Sequence, residues 1–159
     1  MRDTILPVAL LAAALGMALS FSDRMTARNA AIVTLVTAVL VTVMPFGAVP
    51  KPVAFTAMWL SIIVVAASVH FAGLHRPVVF YILAVNAGLW SGVITHVSGN
   101  SEALMALPLV CLFLPGLYVV GRGWGVGIKV VCSWLIAIAA LEIGLMSVPT
   151  PGYAPDHMD

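Results

Sequence analysis

Six apolar runs follow one another along the chain, at about residues 4–21, 30–48, 53–73, 77–97, 103–120 and 126–147, each bounded by charges, Pro or Gly. Each is close to the ~20 residues that carry an α-helix across a bilayer's hydrocarbon core. In lipid every backbone N–H and C=O must be satisfied within the chain, so only helices or a closed barrel can span. The runs are continuous and lack a barrel strand's in/out alternation. The predicted fold is all-α: a polytopic membrane bundle of six helices in one domain, residues 1–148, followed by a short Pro-rich polar tail, 149–159.

A soluble alternative fails on composition. Seven Lys plus Arg and six Asp plus Glu are too few charges to cover the surface of a 16.7 kDa globule, and the mean hydropathy is +1.13. The nearly balanced charge also leaves no basic footprint for nucleic acid. Cys111 and Cys132 lie inside apolar runs without C-x-x-C spacing and read as small hydrophobes, so neither a metal site nor a redox pair is expected.

Lys and Arg orient the bundle. The first, third and fifth loops with the start of span six hold Arg24, Arg28, Arg76, Arg122 and Lys129, whereas Arg2 and Lys51 fall on the other side. By the positive-inside rule both termini lie outside, which in a bacterial cell means a protein of the inner membrane. The first run, ending Ala18-Leu19-Ser20, also resembles a cleavable signal peptide. Cleavage would place Arg24 and Arg28 outside, so an uncleaved first helix is the expectation.

Small residues mark where helices approach closely. Ala84, Gly88 and Gly92 recur every four residues in span four, and Ala12, Gly16 and Ser20 do so in span one. Such stripes serve either packing within the bundle or contact with a partner subunit or second copy. Pro108 and Pro115 remove two backbone donors from span five and predict two kinks, of the kind that line transporter sites or merely bend a packing helix.

Spans one to three share features with spans four to six. Pro7 with Gly16 matches Pro77 with Gly88, Pro45 matches Pro115, and Trp59-Leu60 matches Trp134-Leu135, at offsets of 70 to 75 residues. A three-helix unit in tandem would be inverted in the membrane, a 3+3 inverted repeat. Chance also yields such matches, because Pro, Gly and Leu are common in membrane helices.

Polar chemistry inside the spans is sparse. Glu142 and His96 fall in the same outer leaflet and would form a carboxylate–imidazole pair for a proton or cation if their helices touch. The alternative is a snorkelling Glu and an interfacial His. Asn86, in mid-span, suits a helix-to-helix hydrogen bond or a ligand contact. His70 and His96 lie at opposite ends of their helices, about 30 Å apart across the core, too far to ligate one haem. No cofactor is implied, and no Walker loop, nucleophile elbow or H-E-x-x-H motif is present.

Three functions remain open on these grounds. A non-catalytic subunit or accessory protein of a membrane complex accounts for the minimal loops and small-residue stripes. A small transporter or channel, such as the solute-binding membrane component of an uptake system, accounts for the kinked fifth span. A membrane enzyme would rest on Glu142 and His96 alone.

Overall fold

The computed structural model describes residues 4–44 and 49–147, and within them every regular element is helical. In chain order these are α1 (Ile5–Leu19), α2 (Arg24–Val43), α3 (Lys51–Ser68), a 3-10 turn (Ala72–Leu74), α4 (Pro77–Ser98), a 3-10 segment (Ser101–Leu112), α5 (Phe113–Gly121) and α6 (Gly125–Ser147). Five spans are long and apolar enough to cross a membrane: α2, α3, α4, the 3-10 segment with α5, and α6. At 15 residues α1 is shorter, about 22 Å at 1.5 Å per residue. Bonds from the amides of Ser20, Phe21 and Ser22 to carbonyls three residues back extend it by a tightened last turn.

The helices surround α1. It touches every other helix, and Val8, Leu11, Leu15 and Leu19 are fully buried. This follows from its sequence: no charge, and Ala or Gly at 9, 12, 13, 14, 16 and 18, which leaves small surfaces on several sides for neighbours to approach. The main pairings around it are α2 along α4, α1 along the 3-10 segment, and α3 against α6, α1 and α4. A core of Ala, Leu, Val, Ile and Met side chains joins them.

Three boundaries correct the hydropathy reading. Residues 24–29, expected as loop, form the first turns of α2, because the Asp23 carboxylate accepts the Thr26 backbone N–H at 2.9 Å and its hydroxyl at 2.6 Å. The polar start of a capped helix escapes a hydropathy window. At its other end α2 stops at Val43, where Met44, preceding Pro45 in the sequence, is extended as a residue before proline prefers. α3 begins at Lys51, with Pro52 in its first turn where no amide is needed, and ends at Ser68 rather than near 73. The apolar residues beyond it turn back through the 3-10 turn.

Span five changes its winding along its length. From Ser101 to Leu112 it winds as a 3-10 helix containing Pro108, and α5 then places Pro115 in its first turn. At ~2.0 Å per residue the 3-10 segment covers about 24 Å, where an α-helix of equal length would cover about 18 Å. Asn100 caps its start by accepting the Glu102 amide, and the Asn100 amide group donates to Thr4 at the head of α1. Positive φ values at Gly99 and Gly123 allow the tight exits from α4 and α5.

Candidate functional site

The small-residue stripes lie at the closest helix crossings. A Cβ placed on Gly88 would sit 2.6 Å from the Thr34 carbonyl oxygen and 2.8 Å from Thr37 Cβ. One on Gly92 would sit 2.6 Å from Val41 Cβ and 2.7 Å from the Ala38 carbonyl oxygen. Ala84 is fully buried on the same face, and its carbonyl accepts the Thr34 hydroxyl at 3.2 Å, a proton shared with Ala30. The stripe of α4 is thus covered by α2 of the same chain. The stripe of α1 is covered by span five. A Cβ on Gly16 would come within 2.6 Å of the Val110 carbonyl, Ala12 is buried, and Ser20 fills the space over Gly116.

Polar side chains within the spans bridge helices. Asn86 on α4 meets Ser61 on α3, with the Ser61 hydroxyl set against both ends of the amide, 3.2 Å from Oδ1 and 3.1 Å from Nδ2. His96 is exposed near the C-terminal end of α4, its Nδ1 3.1 Å from the Thr42 carbonyl oxygen of α2. That carbonyl is one of the last of α2, left without an intrahelical donor, so an Nδ1–H satisfies it. Glu142 is half-buried on α6, which packs chiefly on α3. Among the described residues it makes no ion pair, so the two residues expected as a pair belong to different helix contacts. The chain neighbour of Glu142, Ile143, lines a groove of about 460 Å³ with Lys51, Pro52, Phe55, Thr56 and Met146.

Three features leave no signal in the sequence. Ser133 on α6 donates to the Lys129 carbonyl and lies 3.3 Å from His70 Nε2, which ties the end of α3 to α6. His75 stacks between Phe21 and Phe80, at ring-centroid distances of 5.1 and 6.2 Å, with its Nε2 buried and unpartnered. Trp134, halfway along α6, is 70% exposed. It stands in a stripe with Val126, Val130, Ile138, Leu141 and Leu145, all outward-facing.

Comparison with protein-family models, curated proteins and solved structures finds no match. The chemistry of the site therefore rests on its own geometry. Helix-to-helix hydrogen bonds and close glycine crossings serve cohesion. No group of three or more His, Cys, Asp or Glu among the described residues is arranged to hold a metal ion. Exposed aromatic side chains gather at the end of α5, where Arg122 lies 5.0 Å over the Tyr118 ring and Trp124 follows in the chain. Trp59 instead is buried and Trp90 half-buried, both as packing residues.

Proposed function

We propose that this chain is an integral inner-membrane protein, with both termini outside, that works as a non-catalytic subunit of a membrane assembly. Trp134 carries the reading. It lies nine residues into α6, about 14 Å from the helix start, deeper than the interfacial belt that tryptophans favour. Its indole N–H has no acceptor among the described residues, and acyl chains offer none. A helix from another subunit or a second copy, laid along the stripe from Val126 to Leu145, buries the ring and accepts that hydrogen. The filled bundle axis agrees: the place where a central solute path would run holds α1, with Leu11 and Leu15 fully buried. Because α1 is that core, we take it as retained rather than cleaved.

Purification in mild detergent with native mass spectrometry tests this. Wild type is expected to carry a stoichiometric protein partner or second copy, and Trp134→Ala to lose it without a change in melting. A wild-type monomer without protein partner in native-like lipid discs would refute it. For orientation, cysteines introduced near each terminus should label from outside; labelling from the cytoplasm alone overturns the topology.

A small transporter is the second reading, and one observation favours it. Gly16 and Gly88 are 72 residues apart, and so are their neighbours across the crossing: Leu109 from Thr37, and Val110 from Ala38. The buried faces of α3 and α6 also correspond, Ala54 with Ile128, Met58 with Cys132, Ser61 with Leu135 and Val65 with Ala139, each 74 residues apart. A 3+3 inverted repeat accounts for both sets, and such repeats recur in transporters. Solute-dependent flux in liposomes, abolished by substitutions at the bundle centre, would favour this reading over the first.

A further inference from the structure

Arg24 and Arg28 stand one turn apart on the first turns of α2, on one helix face, and both are exposed. With Met25 between them and Phe113 and Leu114 of α5 opposite, they line a groove of about 500 Å³. That volume falls within the roughly 300–1,000 Å³ of small-ligand sites. The groove is two-sided in chemistry. One wall offers two guanidinium groups, and the other offers the buried Phe113 ring and the half-exposed Leu114 side chain.

Neither guanidinium makes an ion pair among the described residues. Arg28 only touches the Met25 sulfur, at 3.0 Å. Asp23, the acid next in sequence, is occupied by the Thr26 amide and hydroxyl. Two positive charges without an ion pair among the described residues, at a helix end and beside the apolar wall of Phe113 and Leu114, match a lipid with an anionic head. We propose that this groove holds one anionic phospholipid, its phosphate between Arg24 and Arg28 and an acyl chain along Phe113 and Leu114. Guanidinium forks suit phosphate oxygens bidentately, and basic pockets between membrane helices recognise such head groups. The inference rests on membrane integration and is independent of any protein partner at Trp134.

Native mass spectrometry of the full chain, titrated with phosphatidylglycerol, phosphatidylcholine or inorganic phosphate, tests it. Wild type should retain one phosphatidylglycerol more tightly than phosphatidylcholine. Arg24→Gln and Arg28→Gln should each weaken that binding about fivefold, the equivalent of about 1 kcal/mol per basic residue near an anionic surface. Leu114→Trp, which fills the apolar wall, should weaken it with both arginines present, and Arg122→Gln, outside the groove, should not. Equal retention of both lipids, or binding untouched by all three groove variants, overturns the proposal. Inorganic phosphate displacing the lipid at equal concentration overturns the lipid assignment in favour of a free-anion site.

Discussion

Gly88→Ala perturbs a close crossing of this bundle directly. The added methyl would lie 2.6 Å from the Thr34 carbonyl oxygen, and ordinary contact begins at 3.4 Å, so α2 must withdraw by about 0.8 Å. The neighbours are backbone or Cβ atoms, which cannot swing aside as a side-chain tip does. The same withdrawal stretches the 3.2 Å bond from the Thr34 hydroxyl to the Ala84 carbonyl beyond hydrogen-bonding reach. Overpacking of this kind costs about 1–3 kcal/mol, and an interhelical bond in a membrane is worth about 0.6 kcal/mol. Alanine's better helix propensity returns up to about 1 kcal/mol. The net loss is therefore about 1–3 kcal/mol, and Gly88→Leu or Gly92→Leu should lose more. Ala84→Leu should lose less than either.

Reversible unfolding in mixed micelles reads this directly. Thr34→Val should weaken wild type but have almost no effect in the Gly88→Ala background, where the bond to Ala84 is already gone. Gly127 and Gly144 of α6 have nothing within 4 Å of an added Cβ, so alanine there should be neutral or slightly stabilising. Unchanged stability for Gly88→Ala and Gly92→Ala, together with an intact Thr34→Val effect, would refute the close crossing of α2 and α4.

The bridge between α3 and α4 predicts that Ser61→Ala and Asn86→Leu each cost about 0.6 kcal/mol and that the double variant costs little more, since either removes the same bond; additive losses would contradict it. Bonds from the Thr26 hydroxyl and amide hold the exposed Asp23 carboxyl below the ordinary 3.8. Its capping contribution is complete above that value and lost as pH falls through the lowered one, so amide-exchange protection at Thr26 and Ala27 should drop only in that acid window, and Asp23→Asn should remove the pH dependence. Glu142→Gln keeps shape, and because no ion pair is lost it should leave melting unchanged; under the transporter reading it would instead impair proton- or ion-coupled flux across pH 5 to 8, which a liposome assay separates.

Much of the architecture is legible in the amino-acid sequence. Helix number and chain reversals follow from the lengths of the apolar runs and the Pro, Gly and charged residues between them, because in hydrocarbon each run would have to satisfy its own backbone. Even the early start of α2 is readable, since Asp23 stands three residues before Thr26 and can cap a helix there. Tertiary structure decides which helix faces which. In lipid every face of a span is apolar, so hydropathy carries no direction toward a partner, and shape at small residues selects neighbours far apart in sequence. That is why α1, whose sequence also suits a leader segment, stands at the centre. It is also why Gly88 meets Thr34, and why His96 bonds to the end of α2 while Glu142 sits on the helix that packs against α3. The 3-10 winding of span five is tertiary as well: Pro108 removes one α-helical bond, but the Val110 carbonyl closing on Gly16 requires the path that only the packed bundle holds in place.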